Sequence, residues 1–415
     1  MAHDADVVII GGGMVGASLA LLLPPQLNII VVESHPLPDN PNPSDYQPSY
    51  DARSTALSYD SYLALAEAGL WPALGQRAQP ISDVHVSDRG HWGSTHMSRQ
   101  QQQWPALGYV VENAWLGRCL LAALHERSNI TLLCPSTVTG IKIGSSGPQL
   151  CIDSAQGEQQ VSAQLAVIAD GATSASCHML GIGHAVRDYG HTAIVANVST
   201  AAAHRGIAWE RFTDSGPMAL LPLMADAGHA HRSALIWTLP SGQADALMAL
   251  DDAAFLQQLQ QRFGRWQGRF IHVGQRSAYP LKLSTAIEQI RQGIVVLGNA
   301  AHSLHPVAGQ GFNLALRDVR ELCRHIALAL QQQQPIGGLA VLQPYLDGQQ
   351  QDQLLTTVFS DVLPSLFSSR QPALQLGRNL GLLGLELLPP LKSSLVRFAA
   401  GIRHRTRHDK QTRGI

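Results

Sequence analysis

Residues 5–33, ADVVIIGGGMVGASLALLLPPQLNIIVVE, decide the fold. Val7 to Ile10 is a short apolar run, Gly11 to Gly13 a turn, and Met14 to Leu23 has helical composition. Pro24 and Pro25 end that helix, because proline lacks the amide donor a further turn needs. Asn28 to Val32 is a second apolar strand that stops at Glu33. Neither strand alternates polar with apolar residues, which is the pattern of a parallel sheet covered on both faces. Gly11, Gly13 and Gly16 spell G-x-G-x-x-G between strand and helix. Gly11 permits the tight turn, Gly13 lets the backbone approach a pyrophosphate, and Gly16 allows close helix–strand packing. The helix N-terminus offers free N–H groups and a positive dipole end to phosphates. Glu33, about 20 residues on, is placed to accept from ribose hydroxyls, and its charge disfavours a 2′-phosphate. A glycine string alone also arises in ordinary turns. Strand, helix and acid in register make it a dinucleotide site.

Two later segments repeat the theme. In Leu165-Ala-Val-Ile-Ala-Asp170-Gly171-Ala-Thr-Ser174 a strand ends in Asp-Gly, where glycine permits a sharp turn. Standing alone, it reads as a strand-ending turn. In Gly298-Asn299-Ala-Ala-His302-Ser-Leu-His305-Pro306-Val-Ala-Gly309-Gln-Gly311-Phe312-Asn313 a strand runs through glycines into a helix. There Gly309 and Gly311 let backbone N–H groups converge on a delocalised negative charge, such as a reduced flavin carries on its pyrimidine edge. Phe312, Ala315, Leu316, Val319, Leu322 and Ile326 follow at helical spacing and read as core.

At 415 residues the chain exceeds one ordinary core, so two domains are expected. Residues 35–50 read as a loop, and a helix is expected across Thr55 to Ala68. From about 186 to 285, strand-like segments at Thr192–Val198, Met218–Leu223 and Ala234–Thr238 come without a helix after each, which points to an antiparallel sheet. The strand–turn–helix pattern then returns at Ile294–Leu297 and from about Gly311 to Leu330. The expected organisation is a discontinuous cofactor domain over 1–80, 105–185 and 286–345. A sheet domain over 81–104 and 186–285 is inserted in it, and 346–415 forms a C-terminal helical region.

Forty-five per cent hydrophobic and 14% charged residues suit a large buried core, and a formal net charge of -1 offers nucleic acid no general attraction. The five cysteines, Cys119, Cys134, Cys151, Cys177 and Cys323, form no C-x-x-C pair. Their odd count suits a reducing cytoplasm rather than a disulfide framework or thiolate zinc site. His302 and His305 stand three apart without an H-E-x-x-H or carboxylate partner, so no metal is expected. The N-terminus carries acids rather than a basic leader, and no apolar stretch reaches the roughly 20 residues of a membrane span.

The three motifs, in this order, resemble those of the aromatic-ring flavoprotein monooxygenases related to p-hydroxybenzoate hydroxylase. Asp51-Ala-Arg53-Ser-Thr-Ala-Leu57, His85-Val-Ser-Asp-Arg-Gly90, Trp209-Glu-Arg-Phe-Thr213 and Arg276-Ser-Ala-Tyr-Pro-Leu281 narrow the resemblance to the ubiquinone-biosynthesis hydroxylases, on the side of the 2-polyprenyl-6-methoxyphenol branch. Matching segments run to about residue 385. The resemblance implies an α/β fold, with a Rossmann-type FAD-binding domain and an inserted, mainly antiparallel substrate sheet. It places Arg53 and Arg118 near the FAD phosphates or flavin, Asp170 near the pyrophosphate, and Gly298 and Asn299 near the ribityl chain. Gly309, Gly311, Phe312 and Asn313 would follow the flavin pyrimidine edge, with Pro306 close to the reacting face. Asn299 stands where most of the wider group has Asp, and its amide can still bond a ribityl hydroxyl. Cys177 stands where the Asp-Gly motif usually ends in Arg.

The implied reaction uses FAD, reduced by NAD(P)H, and O2 to hydroxylate an electron-rich polyprenyl phenol, while the protein orients the reactants and excludes water. No second G-x-G-x-x-G occurs, so NAD(P)H is expected as a transient co-substrate across the flavin face. Sequence names no general base. A flavin-linked reductase that ignores O2, or a non-catalytic partner in a biosynthetic complex, would carry the same cofactor motifs. Leu391, Leu395, Phe398 and Ile402 share a helical face beside Lys392, Arg397, Arg403, Arg405 and Arg407. That face either packs on the core or touches an anionic inner-membrane surface where a polyprenyl substrate resides.

Overall fold

The computed structural model describes residues 3–37, 53–90, 93–226, 228–303, 310–350, 353 and 389–402. Its first sheet has strands 5–10, 29–32, 130–133, 157–168 and 294–296 running parallel, with 290–291 antiparallel at one edge. Ala5–Ile10 lies between Ile29–Val32 and Gly157–Ile168, and Val7, Val8 and Ile9 are fully shielded. This explains the missing alternation: both sides of the strand meet protein. One side is covered by the helices Met14–Leu22, Asn113–His125 and Gln310–Gln331, which pack with the sheet into one apolar cluster. Leu316, Val319, Leu322 and Ile326 are buried there, as their spacing predicts. On the other side, the long Gly157–Ile168 strand leaves the sheet to pair antiparallel with Gly147–Ser154, which continues to Ser136–Gly144.

The second sheet has nine strands, with Gly216–Pro222, Arg232–Pro240, His184–Thr200 and Ser277–Ala286 antiparallel at its centre. Ile207–Thr213 pairs antiparallel with Gly216–Pro222 on one side and parallel with Asp83–Asp88 on the other. Helices Ser241–Met248 and Asp252–Phe263 cover one face, where Met218, Leu220, Leu235, Trp237, Phe255 and Leu259 form a core. Those two helices follow the Arg232–Pro240 strand directly, so the expectation of strands without helices fails at this point.

A third, three-stranded sheet joins Ser54–Ser58, Gly108–Glu112 and Ala78–Ile81. It corrects the helix expected across 55–68, which is confined to Tyr59–Glu67 after a strand. The STALS segment has no strong local preference, and pairing with Gly108–Glu112 decides its conformation. Arg232, almost wholly buried, ties this small sheet to the large one by donating to Glu112 at 2.9 Å and pairing with Asp226 at 3.3 Å.

The C-terminal helix Pro389–Ala399 packs inward through Val396, which joins Ile81, Val110, Ala208 and Ala234. Phe398, placed on the apolar face by sequence, is 39% exposed. No helix among the described residues is long and apolar enough to cross a membrane.

Candidate functional site: a dinucleotide cradle beside a sheet face

The first strand turns at Gly11, whose φ of 103° is a conformation L side chains rarely adopt. A Cβ there would stand 2.5 Å from the Ala169 carbonyl oxygen, so the turn lies directly against the Asp170 segment. A Cβ on Gly16 would stand 1.9 Å from the Gly11 carbonyl oxygen. Both glycines are therefore required by the protein's own backbone. Gly13 differs: a Cβ there meets nothing within 4 Å. Gly13 is also the N-cap of the Met14–Leu22 helix, and no side chain caps that end. Free N–H donors thus face open space, which is the arrangement that binds phosphate.

Glu33 closes one side of the turn. Its Oε2 accepts from the Gly12 N–H at 2.7 Å, and its Oε1 accepts from the His35 N–H at 2.7 Å. Asp170 borders the turn on the other side. Its Oδ2 accepts from the Ser176 N–H at 3.1 Å, while Oδ1 is buried with no hydrogen-bond partner. A buried carboxylate oxygen left unpaired is costly, so an added donor such as a sugar hydroxyl or bridging water is welcome there. Cys177 is buried in the next short helix, and its thiol is pushed up by that burial. It lacks the cationic donor its Arg counterpart would have supplied.

The third motif meets the first. Gly298 turns at φ 60°, and a Cβ there would lie 3.1 Å from the Val15 side chain. Asn299, the next residue, is exposed. The chain then enters the antiparallel sheet at His302–Ser303, which pairs with Ser284 and Thr285. His302 Nε2 pairs with Asp318 Oδ2 in the interior, which holds this strand onto the Gln310–Gln331 helix. The helix starts beside Gly311, where a Cβ would meet no described residue within 4 Å.

Phe312 packs against the first core cluster. Asn313 is 2% exposed, accepts from Ser58 N–H and Ser61 Oγ, and donates to Ala56 C=O at 2.8 Å. Its amide is thus an internal tie. Arg53 donates to the Tyr279 hydroxyl at 3.3 Å, linking the small sheet to the large one. Arg118 lies half-buried on the Asn113–His125 helix, which packs against the Met14–Leu22 helix. Pro306 and Gly309, and His305 with them, lie outside the described residues.

The large sheet has a second face, opposite its covering helices. Register places Val86, Glu210, Ala219, Ile236 and Val195 in one row across five strands. The next row along holds Phe212, Pro217, Thr238, Ala193 and Tyr279. Sequence reasoning gave Glu210, Thr238, Tyr279 and Asp318 no role. The Glu-Arg pair within Ile207–Thr213, IAWERFT, carried no signal that sets Glu210 apart.

The uncapped helix end, the open Gly13 position, Glu33 and the unpaired Asp170 oxygen fit an adenine dinucleotide. Comparison with known proteins agrees. Residues 4–340 match the family described as FAD binding domain. Over 398 residues the chain is 36% identical to the ubiquinone hydroxylase UbiL of Rhodospirillum rubrum, covering 96% of this chain and 90% of that one. It is 29% identical to the 3-demethoxyubiquinol 3-hydroxylase of Escherichia coli, covering 96% and 99%. The p-nitrophenol 4-monooxygenase PnpA of Pseudomonas putida has the same fold, with a TM-score of 0.75 at 18% identity over 98% of this chain and 100% of that one. The fold is thus that of p-hydroxybenzoate hydroxylase-like monooxygenases, and the cofactor is FAD. The chain belongs to the FAD-dependent hydroxylase family of ubiquinone biosynthesis.

Proposed function

We propose that this protein hydroxylates the ring of a polyprenyl phenol, using NAD(P)H and O2, at the step from 2-octaprenyl-6-methoxyphenol to 2-octaprenyl-6-methoxy-1,4-benzoquinol. The observation that carries this reading is the meeting of the Asp170 and Gly298 turns with the glycine turn at the uncapped end of the Met14–Leu22 helix. FAD supplies the redox chemistry when bound. The chain's residues do the rest. Gly13 admits the pyrophosphate, Gly11 and Gly16 let the turn close against its own backbone, Glu33 accepts from the ribose, and Asp170 orients the segment facing them. Arg53 and Arg118 serve the phosphates or flavin, and Gly298 and Asn299 the ribityl chain. Pro306, Gly309, Gly311, Phe312 and Asn313 border the ring system, where a helix start favours negative charge.

A second reading is hydroxylation of another ring position, favoured by the likeness to a 3-demethoxyubiquinol 3-hydroxylase. Identifying the quinone precursor that accumulates when the protein is removed separates the two. A 2-polyprenyl-6-methoxyphenol supports the first; a later, more substituted precursor supports the second. NAD(P)H binds transiently across the flavin face in this reading. A nicotinamide dinucleotide held stably in a domain of its own contradicts that. In this reading the C-terminal helix packs on the core through Val396, and contact with the inner-membrane surface is the alternative to be tested. Because Val396 is part of the core, the membrane test is truncation before residue 403. Liposome partitioning that survives this truncation argues against an anchoring basic tail.

A further inference from the structure

Glu210 is out of keeping with its surroundings. Its row neighbours on the sheet are Val86, Ala219, Ile236 and Val195, all apolar. One row further, Ala208, Leu221, Ala234 and Val84 are sealed against Ile81, Leu107, Val110 and Val396. In the Glu210 row the packing is looser, for Val86, Glu210, Ile236 and Val195 all keep some accessible surface. No described residue gives Glu210 a hydrogen bond or ion pair, and burial alone pushes its carboxyl up to about 7. On the other side, Thr238 is 3% exposed and its hydroxyl has no partner among the described residues. Tyr279 lies in Thr238's row and reaches Arg53, one of the residues expected beside the flavin. The face therefore looks towards the cofactor domain. Glu210 thus stands in an apolar row with its carboxylate still accessible and no protein group among the described residues to satisfy it, which leaves it open to a ligand donor.

We propose that a Glu210 carboxylate oxygen accepts a hydrogen bond from the phenolic hydroxyl of the substrate. The inference rests on the phenol-hydroxylase reading above and adds its missing base. The O–H bond of the phenol breaks, its proton passes to a Glu210 carboxylate oxygen, and the electron pair stays on the phenol oxygen. No oxidation accompanies this step. The retained pair delocalises onto the ortho and para carbons, which makes them better nucleophiles towards electrophilic oxygen. Among the described residues, the other ionisable groups on this face are Asp88, His191, whose Nδ1 is bonded to the Tyr189 carbonyl, Tyr279 with Arg53, and the Arg232–Glu112–Asp226 cluster, with Lys392 on the C-terminal helix. None is paired with Glu210.

The test is equilibrium binding of a short-chain 2-prenylphenol and of its O-methyl ether to FAD-loaded protein without O2, read from the flavin absorbance. The wild type should prefer the phenol by roughly tenfold, the worth of one charge-assisted hydrogen bond. In Glu210→Gln the preference should disappear, along with the pH dependence of phenol binding near neutrality. Glu210→Asp should restore part of it. Equal binding of phenol and ether by the wild type overturns the inference, as does an unchanged preference in a folded Glu210→Gln. Failure of the wild type to bind or hydroxylate any prenylated phenol strikes instead at the hydroxylase reading.

Discussion

Alanine at Gly13 and alanine at Gly16 should fail in different ways. At Gly13 the backbone has φ -64°, which any residue adopts, and the added Cβ meets nothing within 4 Å. The apo-protein should therefore lose only about 0.5 kcal/mol, because alanine caps a helix less well than glycine. The same methyl group fills the space through which a phosphate approaches the helix N–H groups. Charge-assisted hydrogen bonds there are worth about 1.5–3 kcal/mol each, so losing one lowers FAD affinity by roughly ten- to a hundredfold. At Gly16, alanine's better helix propensity offers about 1 kcal/mol. Against it, the Cβ lies 1.9 Å from the Gly11 carbonyl oxygen, and relieving that overlap moves backbone, at about 1–3 kcal/mol or more. Gly16→Ala should thus destabilise the protein before any cofactor is added. Thermal unfolding of both apo-variants, followed by FAD titration with fluorescence as readout, separates the two effects. Wild-type FAD affinity in Gly13→Ala would refute the assignment of that space to pyrophosphate.

Three further outcomes are expected. The carboxyl of Glu210 is raised by burial to about 7, so the folded protein holds a proton that the unfolded chain has released. Its contribution to stability is complete below about pH 4.5 and is lost as pH rises through 7; Glu210→Gln should gain up to ~3 kcal/mol relative to wild type at pH 8, less where water reaches the carboxylate. Urea midpoints that differ equally at pH 5 and pH 8 contradict this. Glu321 behaves oppositely: hydrogen bonds from His325, then Arg324, hold it at about 2. Its contribution is present above the ordinary carboxylate range and lost as pH falls towards 2, and Glu321→Gln should flatten the acid limb of the stability profile. His302→Ala leaves the Asp318 carboxylate in the interior without its imidazole; a loss of about 3–5 kcal/mol is expected, measurable by calorimetry, and a loss under ~1 kcal/mol would sink that account.

The cofactor cradle was legible because its determinants are local. A strand shielded on both faces, three glycines and an acid lie within 33 residues, and each glycine has a steric reason visible from the motif. The third motif was legible for the same reason, although Gly298 earns its place through contact with Val15, 283 positions away by subtraction. The Ser54–Ser58 strand was not legible, since its conformation comes from pairing with Gly108–Glu112. The substrate face was hidden more deeply. Glu210 sits beside Val86 only because Ile207–Thr213 and Asp83–Asp88 pair in parallel across a long separation. A lone acid in a strand has many ordinary explanations until its neighbours are known. Asn313 shows the converse: motif position suggested a cofactor contact, while its amide is occupied with Ala56, Ser58 and Ser61.

The central claim is that FAD held in this cradle delivers oxygen from O2 to a phenol bound beneath the large sheet. Turnover of a prenylated 6-methoxyphenol with NADPH or NADH under ¹⁸O2 tests it, with the product analysed by mass spectrometry. The account predicts one ¹⁸O atom in each hydroxylated product and one reduced nicotinamide consumed with it. Nicotinamide oxidation that leaves the ring unlabelled, or label taken from water, would contradict it.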